Sequence, residues 1–231
     1  MNQREIYKKE AAEKACEFIK DNMVVGLGSG STTAYALKKI SQLLHSNQLH
    51  NIFGIPSSLD TAEKAHQLGI PITDFKNHPE IDITIDGADE VDENLNVIKG
   101  GGGAHLREKI VFQASKRNIV IVDESKLSNK LGAKWPIPIE VLPFAVDVEM
   151  KFLESLGATI NIRRNNDSSL FYTNQANLII DAKFDVLKNP HKLNNILNSR
   201  AGIMEHGLFV GLVTDIIVAG DNGIKEMHAK R

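Results

Sequence analysis

Between Ile85 and Lys109 the chain gathers Asp86, Asp89, Lys99, four consecutive glycines (Gly100 to Gly103) and Glu108. These are the groups that proton-transfer chemistry needs. A carboxylate can take and return a proton, and a lysine can face a developing negative oxygen. Glycines leave the backbone bare enough for several N–H groups to approach that oxygen. Each piece also has a plainer use. Asp86 followed by Gly87 is a common turn pair, Glu108 suits the positive end of a helix dipole, and a lone lysine is usually a solvated charge. The glycine run resists such an account, because each glycine costs roughly 0.5–1 kcal/mol relative to alanine in regular structure.

A second glycine cluster, Val25-Gly-Leu-Gly-Ser-Gly-Ser-Thr-Thr33, lies between a strand-like and a helix-like segment. Phosphates bind at such junctions, where helix N-terminal amides are unpaired. The dinucleotide fingerprint fails, since Ser31 or Thr33 stands where its third glycine is required, and no acid ends the following strand. The nucleotide phosphate loop fails too, because no lysine precedes Ser31 or Thr32. What is left is a small phosphate cup offering Ser29, Gly30, Ser31 and Thr32. A cup and an acid–lysine–glycine–acid loop at neighbouring strand ends suit a short phosphorylated molecule. The chemistry available is proton abstraction beside a carbonyl, as in aldose–ketose isomerisation, with Glu108 as the base.

The elements that must carry these residues alternate. Strand patterns at 23–27, 52–55, 81–85 and 119–122 are interleaved with helical patterns at 31–44, 59–68 and 105–117, and Ser58 suits the N-cap of the second helix. Repeated β-α-β order predicts an α/β domain with a largely parallel sheet whose ligands bind at the carboxyl ends of its strands. Asp86 and Asp89 fall where one strand ends. After Trp135-Pro-Ile-Pro138 the pattern changes to a strand (137–142), a helix (146–156), strands around 159–181 and a helix (191–199), which predicts a smaller α+β unit with antiparallel strands. Asn165 to Ser168 reads as a turn. The runs 208–213 and 215–219 read as a return to the first domain, giving residues 1–130 plus 207–231 for the catalytic domain and 131–206 for the smaller one.

Length and composition set outer bounds. A chain of 231 residues with 42% hydrophobic and 24% charged residues can bury a sizeable core, and a net charge of −2 gathers neither nucleic acid nor anionic lipid. Cys16, the only cysteine, lies among Ala12, Ala15 and Ile19 on a helical pattern and reads as a buried, inert thiol. No metal cluster is expected. With neither a signal-like N-terminus nor an apolar run near the roughly 18 residues of a membrane span, the expected location is cytoplasmic.

The motifs Gly-Leu-Gly-Ser-Gly-Ser-Thr32, Asp-Gly-Ala-Asp89, Lys-Gly-Gly-Gly102, Arg-Glu-Lys109 and Asp-Glu-Ser-Lys126 resemble, in order, those of ribose-5-phosphate isomerase type A. The resemblance runs from the N-terminal helix to about Glu140 and resumes weakly at Glu205-His-Gly-Leu-Phe209. It implies a Rossmann-like domain with a smaller ferredoxin-like lid, and a homodimer or tetramer. The implied reaction is a cofactor-free interconversion of D-ribose 5-phosphate and D-ribulose 5-phosphate in the non-oxidative pentose phosphate pathway. Carried over to this numbering, it implies Glu108 as the acid/base between C2 and C1, Asp86 in ring opening, and Lys99 with the amides of Gly100, Gly101 and Gly102 at the enediolate oxygen. Asp89 would hold sugar hydroxyls and orient Lys99, and Gly87 and Ala88 would line the same stretch. Ser29, Gly30, Ser31, Thr32 and Lys126 would bind phosphate, with Lys8 as a further candidate. The chain departs from the family at Gln175-Ala176, where an Asp-Asn-Gly turn is usual.

Three rival readings differ in what they require. A phosphosugar-sensing effector domain would normally carry a DNA-binding helix-turn-helix, for which the stretch before the first strand leaves no room. An acyl-CoA-transferring enzyme would trap a covalent glutamyl intermediate. An isomerase for another aldose phosphate would share the motifs and differ in substrate ranking.

Overall fold

A computed structural model describes residues 2–229 of the chain, which form two compact units. The first comprises 1–88, 107–127 and 212–231; the second comprises 89–106 and 128–211. Among the described residues no helix is long and apolar enough to cross a membrane.

The first unit is an α/β layer structure. Helix α1 (Gln3–Cys16) leads into β1 (Val24–Leu27), α2 (Thr33–His45), β2 (Phe53–Pro56), α3 (Leu59–Gln67) and β3 (Ile83–Gly87). Most of α4 (His105–Gln113) and all of β6 (Asn118–Asp123) belong to it, as do β12 (Asp215–Gly220) and β13 (Gly223–His228). The sheet order is β13-β12-β6-β3-β1-β2, parallel throughout except for the antiparallel edge strand β13. Alternation along the strands sorts side chains to two faces. Val25, Leu27, Ile83, Ile85, Ile119 and Ile121 pack with Ala11, Ala15, Leu37 and Ile40 of α1 and α2, whereas Val24, Ile55 and Ile81 pack with Val111 of α4. Each fully buried aliphatic side chain contributes roughly 1.5–3 kcal/mol of transfer free energy. Cys16 is buried in the first of these cores, and burial pushes its thiol up to about 12.

The second unit is built on antiparallel sheets. One has the order β10-β7-β9-β8, from β7 (Ile137–Val141), β8 (Thr159–Ile162), β9 (Leu178–Lys183) and β10 (Ile203–His206), with α5 (Val146–Ser155) and α6 (Pro190–Asn198) in the same unit. The other joins β4 (Glu90–Val91), β5 (Val97–Ile98) and β11 (Leu208–Phe209). The expected strand at 208–213 is therefore only two residues long, and it pairs with β5 instead of returning to the parallel sheet. The stretch 89–106 joins this unit for a related reason. The carboxylate of Glu90, fully buried, accepts backbone N–H bonds from Gly132, Lys134 and Trp135 at 3.2, 3.1 and 2.9 Å. Strand β13 was not expected at all. Ile110, an apolar residue of α4, is 44% exposed.

Candidate functional site

In the first unit, the predicted residues gather at the carboxyl ends of parallel strands. Ser29 to Thr32 follow β1, Asp86 and Gly87 end β3, and Lys126 closes a short 3-10 helix (Glu124–Lys126) directly after β6. Helix α4 ends just before β6 begins, so its first turn, which holds Glu108, points back toward the carboxyl edge of that sheet. Asp86 and Glu108 are 1% and 5% exposed as residues.

The glycines of the first loop have distinct causes. A Cβ on Gly26 would sit 1.9 Å from Thr84 Oγ1, and one on Gly28 would sit 2.3 Å from the Asp86 carboxyl. Both are glycine because side chains of the neighbouring strand β3 cross over them. That crossing lets Asp86 Oδ1 accept N–H bonds from Ser29 at 3.1 Å and from Gly87 at 2.7 Å, which fixes its carboxylate. Gly30, at φ +98°, adopts a backbone that other residues avoid, and the space beyond it is open.

The cup's side chains divide into two groups. Ser29 Oγ does not face outward: it joins a cluster with the hydroxyls of Ser57 and Ser58, both at 2.9 Å, and of Thr61 at 3.1 Å. With its N–H donated to Asp86, Ser29 thus spends both of its donors within the protein. Ser58 also caps α3, accepting from Thr61 N–H at 3.0 Å, and Thr61 Oγ1 donates to the Gly28 carbonyl at 3.0 Å. Ser31 is exposed and accepts a hydrogen bond from Lys8 Nζ at 3.1 Å, the ammonium itself bound to Glu5 at 2.7 Å. The cup thus has a cation beside it from α1. The supporting hydroxyls of Ser57 and Thr61 were missed from sequence, although the Ser57-Ser58 pair three residues before Thr61 carries a capping signal.

In the second unit, Asp89, Lys99 and the glycine run are consecutive with β4 and β5. Asp89 N–H donates to the Ile98 carbonyl and Lys99 N–H to that of Gly207, both at 2.8 Å, so both residues are extensions of paired strands. Lys99 is 2% exposed, with Nζ 5.7 Å from the centre of the Phe209 ring. Asp89 Oδ2 accepts the N–H of Gly101 at 2.8 Å. Of the four glycines, Gly100 and Gly103 are buried at φ +96° and +77°, against His105 and Phe171 respectively. Gly101 and Gly102 are exposed. A Cβ on Gly101 would press on the Asp89 carboxylate at 2.9 Å, whereas one on Gly102 meets nothing within 4 Å.

The first unit offers buried carboxylates and a strand-end cup, groups that can move a proton and receive a phosphate. The second offers a buried lysine and a turn of bare amides, groups that can stabilise an oxyanion. Among the described residues no group of three or more His, Cys, Asp or Glu could hold a metal ion.

The chain is similar to known proteins over nearly its full length. The sequence pattern of the family described as ribose 5-phosphate isomerase A (phosphoriboisomerase A) matches residues 53–223. A ribose-5-phosphate isomerase A of Desulfatibacillum aliphaticivorans is 53% identical, covering 99% of this chain and 100% of the relative. The solved ribose 5-phosphate isomerase of Plasmodium falciparum is similar with a TM-score of 0.95 and 39% identity, over 98% of this chain and 100% of that one. A D-ribose-5-phosphate isomerase solved in complex with phospho-erythronic acid has a TM-score of 0.96 and 39% identity, over 99% of this chain and 100% of the other.

Proposed function

The chain belongs to the ribose 5-phosphate isomerase A family, and from that membership we infer that it interconverts D-ribose 5-phosphate and D-ribulose 5-phosphate. The observation that carries the reading is the 53% identity over 99% of the chain to a ribose-5-phosphate isomerase A. The residues fit the chemistry. Isomerisation moves hydrogen within one molecule, so neither an oxidant nor a reductant is consumed.

Asp86 assists opening of the furanose ring, its carboxylate held by the N–H groups of Ser29 and Gly87. Glu108 then removes the proton from C2. The C2–H electron pair forms the C1=C2 bond of an enediolate while the former carbonyl oxygen takes the charge. Lys99 and the amides of Gly100 and Gly102 stabilise that oxygen. Glu108 returns the proton to C1, and the hydroxyl proton passes from O2 to O1. Burial of Glu108 supports this role, because it shields the transferred proton from bulk water. Asp89 holds sugar hydroxyls and, through Gly101 N–H, the glycine turn. The backbone of Gly30 to Thr32, with Lys8 and Lys126, receives the phosphate, and Ser29 braces the cup from behind. A homodimer and a cytoplasmic location complete the proposal.

The test is a direct assay of purified protein with ribose 5-phosphate and competing aldose phosphates in deuterated water. Ketose carrying deuterium at C1, acquired by exchange at Glu108 before the proton returns, is the expected result; failure to form any ketose, or trapping of a glutamyl ester, would overturn the isomerase reading. Glu108→Gln should keep phosphate binding and the fold while losing about 10²–10⁴ in turnover. Near-normal turnover would remove Glu108 from the role of base.

A further inference from the structure

The carbonyl oxygens of the glycine turn are gripped by one guanidinium. Arg163, which follows β8, donates from Nη1 to the carbonyl of Gly100 at 2.7 Å and to that of Gly101 at 3.2 Å. Its Nε donates to Asp181 Oδ2 at 3.0 Å, and its Nη2 donates to the other carboxylate oxygen. Asp181 lies on β9, in register with Asn161 of β8, so the fork is anchored on paired strands. The Arg163 and Asp181 side chains are only 13% and 19% exposed. The guanidinium also lies 5.8 Å from the centre of the Phe171 ring, the ring that stands against Gly103.

None of the described peptide bonds is cis. In a trans peptide the carbonyl oxygen of one residue and the N–H of the next point in opposite directions. Fixing the oxygens of Gly100 and Gly101 toward Arg163 therefore turns the N–H groups of Gly101 and Gly102 away from it. The first of these is received by Asp89 Oδ2 at 2.8 Å. The second belongs to the exposed glycine whose missing side chain would meet nothing in the protein. A positive charge at the oxygen end of a peptide also polarises it, making its N–H a stronger donor.

We propose that Arg163, anchored by Asp181, is a positioning residue that fixes the glycine turn and so aims and polarises the Gly102 amide for the developing oxyanion, while the Gly101 amide is spent on Asp89. The proposal rests on the isomerase reading above. A lysine at 163 would keep the charge but not the fork that holds a carboxylate and two carbonyls at once.

The experiment compares Arg163→Met and Arg163→Lys with the parent chain. The readouts are kcat, KM for ribose 5-phosphate, inhibition by inorganic phosphate, and affinity for a four-carbon phosphorylated aldonic acid, whose carboxylate mimics the enediolate oxygens. In Arg163→Met, kcat should fall about tenfold or more, because a donor is misaimed. KM should stay within about twofold and phosphate inhibition should be unchanged, since ground-state binding is kept. Aldonic acid affinity should fall in step with kcat/KM, and Arg163→Lys should lie between the two. If Arg163→Met does not fold, Asp181→Asn, which loosens the anchor alone, is read in the same way. Full turnover in a folded variant would overturn the proposal, as would kcat, KM and phosphate inhibition worsening in equal proportion. A parent chain inactive on ribose 5-phosphate would defeat the isomerase reading and this proposal with it, whereas an active parent with normal variants defeats this proposal alone.

Discussion

At the scale of residues, the four glycines after Lys99 have unequal reasons. Gly100 and Gly103 are held at left-handed φ with rings against them, and Gly101 lies against the Asp89 carboxylate. Gly102 has no left-handed φ and no neighbour, so nothing in the protein requires it to be glycine. A ligand would. Gly102→Ala should leave unfolding free energy within about 0.5 kcal/mol of the parent while lowering kcat/KM. Gly103→Ala should cost about 2–3 kcal/mol or more, from its φ and from a Cβ placed against the Phe171 ring. Denaturant titration alongside a kinetic assay separates the two, and a destabilised but fully active Gly102→Ala would contradict this. The charged residues at 86, 89, 99 and 108 were legible because several chemical types crowd one stretch. Arg163 was not: it is one of 27 lysines and arginines and carries no motif. Its use depends on strand pairing that brings residue 163 to residue 100.

At the scale of elements, the turn between Tyr172 and Leu178 shows a departure visible in sequence. Thr173 N–H donates to the Asn177 carbonyl at 2.9 Å and Ala176 N–H to that of Thr173 at 3.0 Å, closing the turn with Ala176 at φ +59°. An alanine there bears a left-handed penalty of roughly 1–2 kcal/mol, partly offset by the greater freedom glycine has when unfolded. Ala176→Gly should therefore raise stability by up to about 1 kcal/mol, read as a higher melting temperature with turnover unchanged. A lower melting temperature would show that the turn is not strained. The longer strands were legible because buried β-branched runs repeat between helical patterns. Strands β4, β5 and β11 have two residues each, too few for any periodicity. Strand β13, Gly-Ile-Lys-Glu-Met-His228, is exposed along most of its length and so carries no alternation of apolar and polar residues.

At the scale of the whole molecule, the order of elements was legible while their division between units was not, because Glu90 and the β5–β11 pairing act across long stretches of sequence. The parallel sheet is fastened at the start of β12 by Asp215, which accepts from Arg117 at 2.8 and 3.0 Å, from Thr214, and from His228. Burial alone would push this carboxyl up, but the bonds from Arg117, Thr214 and His228 outweigh it and bring it down to about 2. An unfolded aspartate titrates near ~3.9. The folded pKa is the lower one, so this group's stabilisation is complete above about pH 4 and is lost as pH falls toward 2. Asp215→Asn should flatten the fall of unfolding free energy in that window, and an unchanged pH dependence would assign acid sensitivity elsewhere.

Cys16, buried at the end of α1 with its thiol held protonated to about 12, gives the chain a built-in clock. A thiol reagent at neutral pH finds it neither accessible nor ionised while α1 stays seated. As the sole cysteine, its labelling counts the openings of the core around α1 that expose it. Because α1 also carries Lys8 to Ser31 of the cup, a ligand that Lys8 holds there should slow the count.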